Sequence, residues 1–294
     1  MTFDVAIVGG SFAGMSAALQ LARARRRVAV FDSGLRRNRF ATTSHGFLAQ
    51  DGRAPESIVA DARMQLAAYP TVQWFEGAVT AVSGIQDAFA VQAGNASQHA
   101  RRIILATGVA DALPAIPGLA DRWGRTVFHC PYCHGYELQQ GRIGVIATSP
   151  VSLHQAQILP EWGSVTFFLN GAVSLGEDER RMLAARGVTV DATPIAGIVD
   201  EARVVLADGR SESFAGLFTT SRTKPASPLA AQLGCEHAEG LLGPFIRTDA
   251  MKATSVPGVF ACGDLARATG NVALAVGDGA LAGTAVHASL VFHH

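Results

Sequence analysis

Residues 3–14 read FDVAIVGGSFAG, and this stretch decides the fold. A short run of apolar and β-branched residues that leads into glycines is typical of a buried strand ending in a tight turn. Residues 14–27, GMSAALQLARARRR, have helical spacing with a basic last turn, and residues 28–34, VAVFDSG, predict a second strand. The order strand, helix, strand is the opening of a dinucleotide-binding α/β fold.

The glycine pattern inside this stretch predicts nucleotide binding. Residues 9–14, GGSFAG, match G-x-S-x-x-G, which differs by one residue from the dinucleotide fingerprint. Gly9 permits the tight turn, Ser11 is where the backbone approaches a pyrophosphate, and Gly14 allows close contact between helix and strand. Asp32 ends the second strand, where a carboxylate accepts hydrogen bonds from ribose hydroxyls. A merely structural turn is the alternative, but the flanking strand and helix together with Asp32 favour a nucleotide.

The composition favours a folded protein without a strongly charged partner. Of 294 residues, 49% are hydrophobic and 16% are charged, which is enough apolar material to bury one or two substantial cores. Lysine plus arginine and aspartate plus glutamate each number 24, so the net charge of zero indicates neither a nucleic-acid partner nor a polybasic membrane anchor. Residues 5–22 carry no charge, yet their glycines favour a buried strand, turn and helix over a membrane span or signal peptide.

A second α/β domain is predicted between two proline-containing segments. Residues 101–109, RRIILATGV, predict another strand of the first domain, and residues 113–118, LPAIPG, predict a hinge. Two apolar strands follow, in residues 142–147 and 164–170, and residues 221–228, SRTKPASP, are the best candidate for the return linker. We therefore expect two Rossmann-like three-layer α/β domains: a discontinuous first domain of residues 1–115 and 226–294, and a smaller inserted domain of residues 116–225.

Residues 128–137, FHCPYCHGYE, combine a Cys-x-x-Cys pair with two histidines. The pair, Cys130 and Cys133, has three interpretations: a metal clasp, a redox-active disulfide or two inert cysteines. A zinc site needs four well-directed ligands. His129 and His134 each abut one of the cysteines, so the four side chains are poorly placed to converge on one ion. Redox chemistry is therefore favoured, and no metal site is predicted.

The remaining cysteines indicate the cellular compartment. Cys235 and Cys262 stand alone in the sequence, so the four cysteines do not form a disulfide framework. We therefore expect a protein of the reducing cytoplasm in which the close pair carries the chemistry.

Taken together, the motifs resemble those of a known family. They are IVGGSFAG, FDSG, ILATG, HCPYCHGYE and TSVPGVFACGD, in this order along nearly the whole chain. The set resembles the low-molecular-weight thioredoxin reductases, which are FAD-dependent pyridine nucleotide-disulfide oxidoreductases. CPYCHGYE and residues 36–52, RRNRFATTSHGFLAQDG, are more similar to the branch of dithiol oxidases that form disulfides in gliotoxin and holomycin biosynthesis.

The resemblance implies a homodimer with a redox-active disulfide close to the isoalloxazine. By motif position, Cys133 is the flavin-proximal thiol and Cys130 is the thiol that exchanges with substrate. His134 stands where true thioredoxin reductases have an aspartate that acts as acid and base. A histidine there can shuttle a proton near neutral pH, and its positive form would favour a neighbouring thiolate, so His134 is the first candidate for the base that takes the thiol proton. His45, in the TSHGF loop, is the second candidate base, with a packing role as its alternative.

The resemblance also implies that FAD is bound by the first and last segments of the chain. Asp264, at the end of the GVFACGD strand, is expected to hold a ribityl or polyol hydroxyl. The residues expected at FAD are Gly9, Ser11, Phe12, Ala13, Gly14, Asp32, Ser33, Arg37, Ala106, Thr107, Gly108, Gly263 and Asp264.

One segment departs from the family pattern. Family reductases carry a second G-x-G-x-x-A/G loop for NADPH after the first strand of the inserted domain. Here residues 147–159 read ATSPVSLHQAQIL, so Ala147, Ser149 and Ser152 are nearest to the expected glycines and Pro150 lies within the turn. The next strand leads into GAVSLGEDE, which lacks the arginines that clamp a 2′-phosphate. NADPH is therefore a doubtful ligand, although a divergent loop that still binds NADPH stays an alternative.

If the nicotinamide site has decayed, electrons must enter from a thiol. The sequence then predicts a dithiol oxidase in which a small-molecule dithiol of natural-product type reduces the Cys130–Cys133 disulfide, and FAD passes the electrons to O2. The nearest alternative is an NAD(P)H- or ferredoxin-dependent reductase of a thioredoxin-like protein. A non-catalytic flavoprotein that senses redox state is the third interpretation, and the intact CPYCH motif argues against it.

Overall fold

The computed structural model describes residues 2–292, so the first residue and the final two histidines lie outside the described part of the chain. Contacts divide the chain into two units. The first unit comprises the segment up to Arg37, Pro55–Ala110 and the segment from Thr223 onward. The second comprises Asn38–Ala54 and Asp111–Arg222. The sequence predicts residues 38–54 in the first domain, but they group with the second unit, where Phe40 lies against Gly124.

The helices and strands follow the chain in this order. Residues 2–112 form β1 (Thr2–Val8), α1 (Phe12–Arg23), β2 (Val28–Asp32), α2 (Pro55–Ala67), β3 (Val72–Glu76), β4 (Val79–Ile85), β5 (Ala88–Ala93), β6 (Ala96–Leu105) and β7 (Val109–Ala112). Then come α3 (Leu119–Arg122), β8 (Val127–Phe128), α4 (Pro131–His134), β9 (Gln140–Ile146), α5 (Ser152–Ile158), β10 (Gly163–Phe168), α6 (Glu177–Ala185), β11 (Thr189–Asp191), β12 (Ile195–Val199), β13 (Arg203–Leu206), β14 (Ser211–Ser213) and β15 (Gly216–Thr219). The chain closes with β16 (Arg222–Pro225), α7 (Leu229–Gln232), β17 (His237–Gly240), β18 (Gly243–Ile246), β19 (Val259–Ala261) and α8 (Val272–Phe292), and short 3-10 helices lie at Tyr136–Leu138, Leu159–Glu161 and Gly263–Ala266.

The first unit is built on a sheet with a parallel half and an antiparallel half. Strands β3, β2, β1 and β6 lie side by side in parallel. The long strand β6 then has two partners on its other edge, because its first half pairs with β5 in an antiparallel ladder and its second half pairs with β19 in parallel. The apolar residues that predicted β1 and β2 are buried in the sheet. The predicted α/β fold is confirmed. Because β1, β2, β6 and β19 are parallel, their carboxyl ends lie at one edge of the sheet.

Helix α8 packs against α1 in the first unit. In the described part of the chain it is the one helix that is long and apolar enough to cross a membrane by length and composition. Its glycines bring it close to α1, since a Cβ built on Gly279 would lie 2.0 Å from the carbonyl oxygen of Ala13. The Ser16 hydroxyl of α1 also donates a hydrogen bond to the carbonyl of Val276 at 2.7 Å. These contacts account for the apolar composition of α8 within a globular unit.

The second unit has a five-stranded parallel sheet in the order β11, β10, β9, β15, β8. A three-stranded antiparallel sheet of β12, β13 and β14 belongs to the same unit. Fully buried aromatic side chains, including Phe167, Phe168 and Phe218, fill its core. The order of strands places β8 at the edge of the parallel sheet, and the cysteine motif begins directly after β8.

Candidate active site

Cys130 and Cys133 form a disulfide in the second unit. Cys130 precedes the single turn of α4, Cys133 lies within it, and their Cα atoms are 5.3 Å apart. The turn brings the backbone N–H of Cys133 to the carbonyl of Cys130 at 3.2 Å. Within residues 2–292 no three His, Cys, Asp or Glu side chains are arranged to hold a metal ion. Both cysteines of the disulfide are half-buried.

His134 lies beside this disulfide as a neutral ring. Its imidazole stacks on Phe128, with ring centroids 4.3 Å apart and planes 24° from parallel. Burial is the main cause that lowers the pKa of His134 to about 4, and the nearby His45 contributes to this shift because two positive rings repel. Burial therefore disfavours the charged ring in the disulfide form, and the role of His134 beside a cysteine thiolate stays a prediction.

His45 lies in the same unit with two carboxylates at one ring nitrogen. Its Nδ1 is 3.5 Å from Oε1 of Glu137 and 3.6 Å from Oδ2 of Asp51. Its Nε2 is 3.1 Å from the hydroxyl of Thr43. The fold thus brings the second predicted base into the neighbourhood of His134, since the charge of His45 acts on that ring. Sequence reasoning did not single out Glu137 or Asp51, although Glu137 closes the quoted FHCPYCHGYE motif.

The glycine turn of the first unit approaches neighbouring backbone too closely for any side chain. A Cβ on Gly9 would lie 2.2 Å from the carbonyl oxygen of Ala106, and a Cβ on Gly14 would lie 1.8 Å from that of Gly9. Gly9 also has a positive φ of 111°, which favours glycine. Phe12 and Ala13 are buried at the start of α1. The first turn of α1 therefore presents backbone N–H groups to an anion at the end of β1.

Polar side chains surround this turn at the strand ends. Asp32 ends β2, and its Oδ1 accepts a hydrogen bond from the N–H of Gly34 at 3.0 Å. Arg37 donates from Nη1 to Oδ2 of Asp264 at 2.9 Å, which joins the segment after β2 to the segment after β19. Gly263 has a positive φ of 69° and lies against Ala13.

The other predicted cofactor residues lie in the same unit. Ala106, Thr107 and Gly108 follow β6, and Ser33 is exposed directly after β2. Three features fit an adenine dinucleotide such as the FAD that the sequence predicts. They are a glycine turn with no room for a Cβ, a carboxylate at the end of the second strand, and the start of a helix. Asp264 forms an ion pair with Arg37. Its role in holding a ribityl hydroxyl stays a prediction.

The corresponding turn of the second unit is filled by its own hydroxyls. The N–H of Thr148 donates to the Ser152 hydroxyl at 3.0 Å, and the Thr148 hydroxyl donates to the carbonyl of Thr220 at 2.9 Å. The hydroxyls of Ser152 and Thr220 are 3.0 Å apart, and both residues are buried. The N–H of Ser152 is bonded to the carbonyl of Ser149, and that of Leu153 to the carbonyl of Pro150. The donors at this helix start are therefore directed into the loop itself.

The residue that follows the next strand, β10, also hydrogen-bonds within the second unit. Asn170 follows β10 with a positive φ of 48°, and its Oδ1 accepts a hydrogen bond from the N–H of Ile195 at 2.9 Å. In a dinucleotide site this position reads the ribose or its 2′-phosphate. Here the Asn170 side chain instead accepts a hydrogen bond from the start of β12.

The chain matches a family model and known relatives over most of its length. The model of a family described as pyridine nucleotide-disulphide oxidoreductase matches residues 3–279. The protein named thioredoxin reductase sirT, from Leptosphaeria maculans, is 33% identical over 97% of this chain and 93% of its own length.

Solved structures give the same result at the level of the fold. The crystal structure of an oxidoreductase from Agrobacterium tumefaciens is 56% identical, covers 100% of both chains and superposes with a TM-score of 0.98. The crystal structure of HlmI is 38% identical, covers 99% of this chain and 93% of that chain, and has a TM-score of 0.91.

Proposed function

The chain belongs to the pyridine nucleotide-disulphide oxidoreductase family, and within this family we propose that it is a dithiol oxidase, which forms a disulfide in a small molecule. The protein is an FAD-binding oxidoreductase of the thioredoxin reductase type, with its disulfide between Cys130 and Cys133. The proposal concerns the direction of electron flow. Electrons enter from a substrate dithiol and leave to O2.

The observation that carries this proposal is the closed turn after β9. A nicotinamide dinucleotide needs glycines and outward-directed N–H groups at that turn. Here the side chains of Thr148, Ser152 and Thr220 occupy the turn and bond to one another. Opening it would break buried hydrogen bonds, and each such bond contributes about 1 kcal/mol to stability. This supports entry of electrons from a thiol.

The exchange at the disulfide proceeds in two displacements. A substrate thiolate attacks the sulfur of Cys130, which forms a mixed disulfide and releases Cys133 as a thiolate. The second substrate thiolate then attacks the substrate sulfur of the mixed disulfide, which releases the product disulfide and leaves Cys130 reduced. The substrate loses two electrons and two protons, and the protein gains a dithiol. A base must take each thiol proton, and the imidazoles of His134 and His45 are the candidates.

The residues that would hold FAD are those of the cradle in the first unit. The N–H groups that begin α1 after Gly9 would bind the pyrophosphate, and Asp32 would accept hydrogen bonds from the adenosine ribose. When bound, FAD supplies two-electron chemistry, taking electrons from the cysteine dithiol and reducing O2 to hydrogen peroxide.

A reductase acting on a thioredoxin-like protein is the second candidate. It is supported by the name of the relative sirT, a thioredoxin reductase that is 33% identical to this chain. In that direction NAD(P)H or ferredoxin would supply the electrons and the Cys130–Cys133 dithiol would reduce the partner. A redox sensor without turnover is the third, and it requires the disulfide to cycle without product.

An anaerobic titration of the purified holoprotein separates these candidates. We expect a small dithiol to bleach the flavin absorbance, and air to restore the colour with release of hydrogen peroxide. We expect NADPH and NADH to leave the colour unchanged over the same time, because the turn after β9 is closed. Rapid bleaching by NADPH would instead establish a reductase, and bleaching without repeated turnover in air would support the sensor.

The matched control is Cys133→Ser, which removes one sulfur and leaves the first unit unaltered. This variant should retain FAD, because the predicted cofactor residues lie in the first unit, and should lose bleaching by dithiol. Normal turnover by Cys133→Ser would contradict a disulfide relay.

A further inference from the structure

His45 is held between groups that differ at its two ring nitrogens. Carboxylate oxygens of Glu137 and Asp51 lie 3.5 Å and 3.6 Å from Nδ1. The hydroxyl of Thr43 lies 3.1 Å from Nε2. A carboxylate only accepts hydrogen bonds, whereas a hydroxyl either donates or accepts. This asymmetry favours the tautomer in which Nδ1 carries the proton and the Nε2 lone pair accepts a hydrogen bond from the Thr43 hydroxyl.

That tautomer is the one a base needs. In carboxylate–histidine pairs, the carboxylate orients the ring through Nδ1–H and stabilises the positive ring that forms when Nε2 accepts a proton. The His45 side chain is 17% exposed, so it is sheltered enough to be oriented and open enough to exchange protons. His134, the other candidate base, is a poor base because burial lowers its pKa to about 4.

Of the two carboxylates, Glu137 is the one that connects His45 to the segment that carries the cysteines. Asp51 belongs to the same loop as His45, and its Oδ1 already accepts the N–H of Gly46 at 2.8 Å. Glu137 belongs to the 3-10 helix that directly follows α4. Its side chain is also the less exposed of the two, at 41% against 68% for Asp51. Its contact therefore joins two segments that lie about ninety residues apart in sequence.

We propose that Glu137 is a positioning residue, which orients His45 as the base that removes protons from thiols at the Cys130–Cys133 disulfide. This inference rests on the proposed function only in needing thiol–disulfide exchange at that pair. Glu137 acts on the thiol protons through His45. Because its carboxylate is partly exposed, its effect is on the orientation and tautomer of the ring more than on the stability of the fold.

The test compares Glu137→Gln with wild type in the FAD-loaded protein. Anaerobic bleaching of the flavin by dithiol should slow about tenfold in Glu137→Gln, and about a hundredfold in His45→Asn, which removes the base. Glu137→Asp should recover part of the rate, since a shorter side chain retains the charge. Asp51→Asn tests the second carboxylate and should slow the reaction less than Glu137→Gln. Glu212→Gln, which removes the partner of Arg142 elsewhere in the second unit, should leave the rate unchanged.

A readout independent of activity is the tautomer of His45. Nitrogen-15 NMR of histidine-labelled holoprotein, with the signal assigned by its loss in His45→Asn, should show the proton on Nδ1 in wild type and a mixture of tautomers in Glu137→Gln. An unchanged tautomer together with an unchanged bleaching rate in Glu137→Gln would overturn the proposal. If dithiol fails to bleach even the wild-type protein, the proposed function fails, and the NMR comparison still decides whether Glu137 orients His45.

Discussion

At the scale of single residues, the neutral state of His134 is decided by its surroundings. The ring is stacked on Phe128 and is largely shielded from water, which penalises the imidazolium form. The nearby His45 adds a repulsion of the same sign. A histidine beside a cysteine pair therefore behaves here as an aromatic packing group that stays neutral at physiological pH.

This state of His134 has a consequence for stability. The unfolded chain takes up a proton near pH 6.5 and the folded chain takes it up only near pH 4, so acid favours unfolding between these values. We expect wild type to lose stability on acidification through this window relative to His134→Phe, which retains an aromatic ring. The difference should change by at most about 1.4 kcal/mol per pH unit. Urea unfolding of both oxidised proteins at pH 7 and pH 5 measures it, and equal losses in the two proteins would contradict the low pKa of His134.

At the scale of elements, the contact between α1 and α8 depends on two glycines of α8. A Cβ on Gly279 would lie 2.0 Å from the carbonyl oxygen of Ala13, and one on Gly283 would lie 2.6 Å from that of Ala17. Gly277, in the same helix, has open space where its Cβ would be. Glycine at 279 and 283 therefore sets the distance between the helices, and α1 begins at the predicted cofactor cradle.

These positions predict opposite effects of the same substitution. Gly279→Ala should destabilise the protein by about 1–3 kcal/mol, because α8 must move away from α1, and it should weaken retention of FAD. Gly277→Ala should be neutral or stabilising by up to about 1 kcal/mol, because alanine is the better helix former. Thermal unfolding and the flavin content of the purified variants measure both effects. Equal stability of the two variants would mean that the close approach at Gly279 does not exist in solution.

At the scale of the whole molecule, the two units carry different parts of the chemistry. The first unit has the predicted dinucleotide cradle around Gly9, and the second has the Cys130–Cys133 disulfide with its two histidines. Both units have a parallel sheet with a helix start at a strand end, but only the first has the glycines that leave room for a dinucleotide. The second unit thus has the architecture of a nucleotide-binding domain and a turn closed by hydroxyls.

The proposed direction of electron flow predicts the stoichiometry of the complete reaction. In air, each dithiol oxidised should consume an equal amount of O2 and release an equal amount of hydrogen peroxide, because the substrate donates one electron pair. NADPH should change neither the rate nor the ratio. An oxygen electrode combined with a peroxide assay and thiol titration gives all three quantities. A ratio of peroxide to dithiol far below one, or a requirement for NADPH, would contradict the oxidase direction.

The sequence by itself determined the α/β fold, the dinucleotide cradle and the redox pair. These features can be predicted from short stretches of sequence. Strand and helix periodicity, glycine spacing and Cys-x-x-Cys spacing each depend on residues that are close together in the chain. The doubt about NADPH also came from local spacing, since Ala147, Ser149 and Ser152 replace the expected glycines.

Only the tertiary structure decided the charge of His134, the carboxylates at His45 and the closure of the turn after β9. Each depends on groups that are distant in sequence. Thr220 reaches Ser152 from 68 residues away, and the ring of His134 is desolvated by packing against Phe128. Desolvation and hydrogen bonds between distant segments arise when the chain folds, so no local pattern reports them.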